Sequence, residues 1–520
     1  MLKTDTREKL PSQDEEFINR TYELFDEFYE GTRQFRQKCR ENEEFWQANH
    51  WNGVSYKEQD EPRPVTPVIF STLESLLADI MDSYPEPVLL GEEPGDDETA
   101  RRLNEVIKFI LKRRNYRATY RNKCRAALKK GASMQEVYWD KALYGGLGDV
   151  NVRHWDIESF LYDPKCADIQ QGRACFKFTF VDMEWIKQRY PGAAELIQSD
   201  GYRKEEKTGE NIKSENDVMV MEYWYKKRDD EGNESVHTAI LAGHVLLEKS
   251  EDAMPGGVYE HSKYPFIVEP LYPLDNQPVG LGIIDVYKNL QLYADKLDQI
   301  ILKNALMASK VKMLVNRGAE LDEDALSDWS KEVVRGSRID EGGLRWFQPA
   351  PLSPYVLEHF YGKIQAIKEE SGQTQVNRGE AAGGITAASA IIALQEAGSK
   401  RSRMLIEQMY EGFEDLIEMM IALIAENYTE ERTFRITGEQ GEYQSTLSGD
   451  MLKKGGGPGH MEFDISVQVQ KATPYRTLYQ NELAMQLLGA GIIGPEEALS
   501  MMVFEGKDRI KRLGGGLPAK

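Results

Sequence analysis

Lys296, Lys303 and Lys310 recur at every seventh position of one predicted helix. Seven residues are nearly two helical turns, so the three ammonium groups stand in single file. Such a stripe can touch a polyanion at intervals. The same spacing also suits ion pairs with Asp295 or Asp298 of a neighbouring subunit, and the residues alone leave both readings open. Arg113, Arg114, Arg117 and Arg121 form a second basic patch, which reads as a solvated helix face or as a nucleic-acid contact.

Signs of catalysis are weak. Gly455-Gly-Gly-Pro-Gly-His460 has the glycines of a phosphate loop but no Lys-Ser/Thr to reach phosphate and metal, and Pro458 removes an amide donor. The seven histidines do not cluster; His237 and His244 share a β-like region without an evident third ligand. Asp96, Asp97 and Glu98 follow Pro94-Gly95 and read as a solvated turn. Cys39, Cys124, Cys166 and Cys175 form no CxxC pair, so no zinc framework is expected and the thiols should be reduced. The expectation is a non-enzyme without metal or cofactor.

The chain has 520 residues, 41% hydrophobic and 29% charged, which suits a folded protein of two to four packing units. A net charge of −21 argues against coating nucleic acid through the overall field, though not against a local stripe. No signal-peptide core is visible at the start, and the apolar run Leu416 to Ala425 is too short to span a bilayer.

The elements that must position the lysines follow from periodicity. Gln13 to His50 reads as helix, with Phe17, Tyr22, Phe25, Phe28 and Tyr29 as an aromatic core stripe. A helix carrying Ile69, Leu73, Leu76, Leu77 and Ile80 should end at Pro85 and Pro87. Thr99 to Lys130 reads as one or two helices. Gln135 to Trp139 and Asp149 to Val152 flank a turn at Tyr144 to Gly148 and predict a hairpin. Cys175 to Val181, Asp217 to Tyr225 and Val236 to Leu247 read as strands, with a short helix at Met183 to Arg189.

Leu281 to Lys310 returns to helix. A small mixed module follows, with strands at Lys312 to Val315 and Leu344 to Phe347 and a helix near Glu323 to Lys331. Ser353-Pro354 opens a second helix as cap and first residue. Gln373 to Gly384 is polar and Gly-containing and reads as a mobile loop. Thr386 to Asn427 reads as a long helix with Gly398 and Gly412 as bend points. Met461 to Val469 alternates as a strand, two short helices follow, and the Gly-rich tail should be disordered.

This order of elements, with several short motifs, resembles the tailed-bacteriophage portal (head–tail connector) family, closest to its P22-like branch. The motifs are the aromatic-Gly segment Trp46 to Gly53, Ala100-Arg-Arg-Leu103 through Gly131 followed by Val137-Tyr-Trp139, and Ile157 to Pro164 with its aromatic-Asp-Pro turn. Further along come Tyr264-Pro-Phe266, then Pro278-Val-Gly-Leu-Gly282 with Asp285 and Gln291. Asp295 stands where the family often has Asn, and the long C-terminal helical barrel of some members is lacking.

The resemblance implies a mixed α+β, mainly helical fold: an α/β wing, a helical stem, a small α/β clip and a short helical crown. By position, 1–60 would be an N-terminal helical segment, 61–282 the wing, 283–310 and 353–372 the stem helices and 311–352 the clip. The tunnel loop would be 373–386, the long helix and return to the wing 387–470, and crown and tail 471–520.

The implied function is a dodecameric DNA conduit at one capsid vertex of the virion, assembled in the host cytoplasm. It would dock the terminase large subunit during packaging and the tail or head-completion proteins afterwards, against capsid and scaffold protein. Gln373, Gln375, Asn377 and Arg378 would face DNA from the tunnel loop, and Lys296, Lys303 and Lys310 from the stem. Trp329, Lys331, Arg335, Arg345 and Trp346 would meet partners at the clip. A nucleic-acid-processing enzyme or another capsid or scaffold component are the competing readings.

Overall fold

The computed structural model describes residues 12–52, 62–91, 96–197, 217–309, 312–315, 322, 324, 344–347, 352–372, 400–438, 441–453, 463–469, 474–502 and 504. Among them the fold is mixed α/β with helix predominating. The chain forms two compact units. One comprises Met1–Glu43, Leu73–Asp285 and Ala388–Lys520; the other comprises Glu44–Thr72 and Val286–Ala387.

The chain starts with α1 (Ser12–Gly31) and α2 (Arg33–Trp46), then α3 (Val68–Asp82) and β1 (Pro85–Gly91). The helical stretch to Lys130 is two helices, α4 (Asp97–Arg113) and α5 (Tyr116–Lys130), separated by Asn115 in the left-handed region at φ 52°. Strands β2 (Ala132–Asp140) and β3 (Asp149–Trp155) form the expected hairpin, pairing Val137 with Val152. Its turn needs positive φ at Tyr144, Gly145, Gly146 and Gly148, which the glycine-rich sequence supplies.

Then come β4 (Phe160–Tyr162), β5 (Ala174–Asp182), α6 (Met183–Arg189), β6 (Asp217–Arg228), β7 (Glu234–Ala242) and β8 (Val245–Lys249). The five strands form one antiparallel sheet in chain order. Val236 to Leu247 is therefore two strands, not one. Gly243 and His244 both take positive φ, 51° and 58°, as a two-residue hairpin turn requires. The left-handed His244 is held by stacking on Tyr22 at 3.9 Å, whose hydroxyl accepts its amide at 2.9 Å.

The aromatic stripe of α1 lies on this sheet. Ile18, Tyr22, Phe25 and Phe28 are buried against Phe176, Met219, Met221 and Leu241, with Phe25 edge-on to Phe176 at 5.4 Å. Each such ring contributes about 1.5–3 kcal/mol by leaving water.

Strand β9 (Phe266–Pro270) completes a second sheet, β3-β2-β9, and β10 (Tyr272–Pro273) pairs with β11 (Gly280–Leu281). Helix α7 (Ile283–Ser309), β12 (Lys312–Val315), β13 (Leu344–Phe347) and α8 (Pro354–Glu370) follow, then α9 (Lys400–Asn427), β14 (Arg432–Gly438), β15 (Gly441–Leu447), β16 (Phe463–Val469), α10 (Pro474–Gly489) and α11 (Pro495–Met501). Two features depart from expectation. Pro85 and Pro87 do not simply end α3; they lie in β1, which pairs antiparallel with β16, a two-stranded sheet where edge prolines are tolerated. The β14–β15 hairpin was not foreseen, because Gly438 to Gly441 joins two polar strands without a strong apolar alternation.

A buried charge organises the centre of the larger unit. Lys123 of α5 pairs with Glu269 of β9, both essentially buried. The Glu269 carboxylate also accepts from Ser133 Oγ at 3.3 Å and Gln135 Nε2 at 3.4 Å, while Tyr116 donates to Gln135 at 3.0 Å. Each polar group thereby has a partner, without which the burial would cost several kcal/mol. Helix α9 crosses this network at Gly412, where any Cβ would overlap the Glu269 carboxylate. Gly412 is thus a contact glycine inside a continuous helix, not the expected bend point. Gly398 lies outside the described residues.

The aromatic-Asp-Pro turn is held electrostatically. Asp163 accepts from Arg173 Nε at 2.6 Å and from the amides of Lys165 at 3.1 Å and Arg173 at 3.4 Å. Burial pushes its carboxyl up, but the Arg173 guanidinium and these amides outweigh it and hold the carboxyl below the usual range.

Two predictions follow from these contacts. Gly412→Ala should destabilise the protein by roughly 2–4 kcal/mol, since a pinned carboxylate cannot yield; an unchanged urea midpoint would refute the crossing. For Asp163, a depressed pKa means stability that is present above the unfolded value near 3.8 and lost as pH falls through the folded one. Asp163→Asn should therefore lower Tm at pH 7, with the gap to wild type closing below about pH 4.

Candidate nucleic-acid interface

The candidate elements begin at a crossing inside the larger unit. Gly131 ends α5 at φ 86°, its amide donating to Ala127 O at 2.9 Å. A Cβ on Gly282 would sit 2.8–2.9 Å from Lys129 O, Leu128 O and Gly131 N, and a Cβ on Gly280 would strike the Tyr272 carbonyl. The glycines of Pro278-Val-Gly-Leu-Gly282 are there because backbones touch. Asp285 then caps α7, accepting from Gly282 N at 2.8 Å and Asn42 Nδ2 at 2.8 Å, with Lys38 Nζ at 3.4 Å. A carboxylate in the first turn also complements the helix dipole.

Within the smaller unit, β12 and β13 pair antiparallel from Lys312↔Phe347 to Val315↔Leu344. The helix on either side of this ribbon is connected at the far end too, because Tyr287 near the start of α7 donates to Glu370 O at the end of α8 at 2.8 Å. Pro354 opens α8 after Ser353, as expected, but the Ser353 hydroxyl makes no capping bond.

Helix α7 has two opposed faces. Gln291 and Asp295 are fully buried and, with Gln299, hold residues 62–69 through hydrogen bonds. Tyr293 lies about 160° round the helix from Asp295. It belongs to a row of exposed apolar residues at every seventh position, Val286, Tyr293, Ile300 and Met307. Leu302 and Leu306 are exposed as well, so the last turns of α7 present apolar side chains on more than one face. Helix α8 exposes Tyr355, Leu357 and Tyr361.

The lysine stripe flanks the apolar row, three residues on and about 60° round. Lys296 is exposed, with its ammonium 5.8 Å from the Tyr293 ring, and Lys303 is half-buried. The ion-pair reading of the stripe loses one partner. Asp295 is buried and bonded to His50 Nδ1 at 2.6 Å in its own chain, so it faces no neighbour's lysine. Arg345 and Trp346 occupy β13 opposite Leu314 and Met313. Lys310, Trp329, Lys331, Arg335, Gln373, Gln375, Asn377 and Arg378 lie outside the described residues, as do the Glu323 to Lys331 helix apart from Asp324 and the Gly455 to His460 loop.

The other candidates resolve into structure. Arg114 is bound to Asp149 at 2.8 Å, Arg113 lies 4.9 Å over Tyr144 and Arg117 5.5 Å over Tyr84. Asp97 opens α4 and Glu98 pairs with Arg101 and Arg102 at 3.0 Å. His237 is buried between the hydroxyls of Ser235 at 2.9 Å and Ser250 at 3.3 Å, and burial pushes its pKa down. Among the described residues no group of three or more His, Cys, Asp or Glu could hold a metal ion. No helix among them is long and apolar enough to cross a membrane.

The polar set Gln291, Asp295 and Gln299 was not read from the sequence as a set. Its signal was present: hydrogen-bonding side chains at i, i+4 and i+8, opposite the apolar row.

No curated protein matches the chain. A family model described as phage P22-like portal protein matches residues 22–512, nearly the whole length. With that span matched, the chain belongs to the phage P22-like portal protein family.

Proposed function

We propose that twelve copies of this portal protein close around duplex DNA, with α7 and α8 of each copy forming the stem. Portal proteins are structural ring components of the capsid vertex, and the family implies DNA, capsid and terminase as partners in general terms. The ribbon and its surroundings, 311–352, are the clip that meets the terminase large subunit and later the tail or head-completion proteins. Residues 373–386 are the tunnel loop, 61–282 and 387–470 contribute the wing, and 471–520 the crown. Assembly takes place in the host cytoplasm.

The observation that carries the proposal is the exposed heptad row of α7. Apolar side chains at Val286, Tyr293, Ile300 and Met307 are about half exposed in one copy. A closed ring needs two different faces that fit each other, and α8 offers the second through Tyr355, Leu357 and Tyr361. Each large side chain buried there contributes about 1.5–3 kcal/mol. Lys296 and Lys303, flanking that seam, then stand at its rim. A sparse lysine row on a chain of net charge −21 gives weak phosphate contacts that do not add up to tight binding. The uncharged Gln373, Gln375 and Asn377 suit the same task.

Electron microscopy of the purified protein should show rings with an axial hole. Ile300→Asp combined with Met307→Asp should leave folded, ring-incompetent subunits; intact rings from that variant would remove the seam. Lys296, Lys303 and Lys310 changed together to Gln should assemble normally, as should a deletion of 375–383, while both impair DNA packaging or retention. Loss of assembly in the lysine variant would restore an ion-pair role, and an unfolded deletion variant would make the loop structural.

A further inference from the structure

Residues 62–69 read Pro-Arg-Pro-Val-Thr-Pro-Val-Ile, and the three prolines deny this segment the amides of a sheet strand. Its backbone is served instead by side chains of the same unit. Gln299 Nε2 donates to Pro62 O at 2.9 Å and Trp51 Nε1 to Pro64 O at 2.9 Å. Gln291 Nε2 donates to Thr66 O at 2.7 Å, Thr66 N donates to Asp295 Oδ1 at 3.3 Å, and Ile69 N donates to Gln291 Oε1 at 3.4 Å. The order is antiparallel, Gln299 at Pro62 and Gln291 at Thr66.

The spacing matches for a geometric reason. Eight helical residues, from 291 to 299, rise about 12 Å. Four steps of an extended proline-rich chain, from 62 to 66, also span about 12 Å. Side chains every fourth residue of a helix therefore stay in register with every second residue of such a strap. This is how proline-rich ligands are gripped in general: donors placed at the repeat of a chain that has few amides of its own.

One carboxylate–imidazole contact sits in the middle. Asp295 Oδ2 lies 2.6 Å from His50 Nδ1, and Asp295 Oδ1 takes a further bond from Gln291 Nε2 at 2.9 Å. The other ring nitrogen of His50 faces Phe45 O at 3.1 Å, and the ring stacks on Phe45 at 3.9 Å. A carbonyl only accepts, so Nε2 is the donor there, and the ring is fixed in orientation towards Asp295. Burial and the Asp295 charge push the Asp298 carboxyl above its ordinary value, while its hydrogen bond with the Thr66 hydroxyl, a further hold on the strap, acts the other way. Residues 62–67 are themselves only half-buried or exposed, so lifting them uncovers little apolar surface.

We propose that 62–67 is a latch, a proline-rich strap keyed onto α7 by Gln291, Asp295 and Gln299 and locked by His50, which opens as a unit while the rest of the protein stays folded. The polar grip holds the strap in one register, and the exposure of 62–67 leaves little apolar surface to uncover when it opens. Opening frees the polar side of α7 without touching its apolar row.

Hydrogen–deuterium exchange on the full-length protein tests this, comparing a peptide covering 62–72 with one covering 217–242 in the five-stranded sheet. Asp295→Ala and His50→Ala should each speed exchange in 62–72 at least tenfold and leave 217–242 unchanged. Should the alanine variants fail to fold, Gln299→Leu carries the test, again speeding exchange in 62–72. Wild-type exchange at 62–72 in the Asp295→Ala variant, or in Gln299→Leu, would overturn the latch, as would an equal rise across 354–370.

Discussion

Backbones touch where α7 begins, and much of the chain's character follows from that contact. Gly131, Gly280 and Gly282 bring the end of α5 and the β10–β11 turn within van der Waals distance with no side chain between them. Any Cβ at these positions would force the two segments apart. Asp285 then fixes the first turn of α7 through Asn42, Lys38 and the Gly282 amide.

The larger unit is stabilised by a different balance. Aromatic burial between α1 and the five-stranded sheet supplies a conventional core, while the Lys123–Glu269 pair places charges where hydrophobic packing would suffice. Such pairs contribute little net stability compared with apolar replacements, but breaking one partner leaves a buried charge. Their effect here is specificity: Glu269 draws on α5 and β2 and admits α9 only at a glycine. A shifted register of α9 would bring a side chain against the carboxylate.

The smaller unit gains its definition from polar contacts along one side of α7 and leaves an apolar row on the other. An exposed row of that kind is unusual in a solitary subunit and ordinary in a protein that functions as a ring. The same helix therefore carries intrasubunit register on one face and an exposed apolar row on the other, with lysines between them.

Local pattern made much of this legible in advance. The α1 stripe, the β2–β3 hairpin, the Met183–Arg189 helix, both ribbon strands and the Ser353-Pro354 start depend on periodicity and turn residues, which act over a few positions. The order of those elements, with the Gly-Leu-Gly and Asp-Pro motifs, also carried the family. What the sequence could not determine depends on contacts distant in the chain. Gly412 looked like a bend until Glu269, 143 residues earlier, occupied the space of its missing methyl. Pro85 and Pro87 looked like a stop until β16 supplied a partner nearly 400 residues on. Asp295 looked like a surface carboxylate until His50 and Thr66 closed over it. Periodicity says which face of a helix is polar or apolar; only the tertiary structure decides what lies against that face, because pairing across hundreds of residues leaves no local trace.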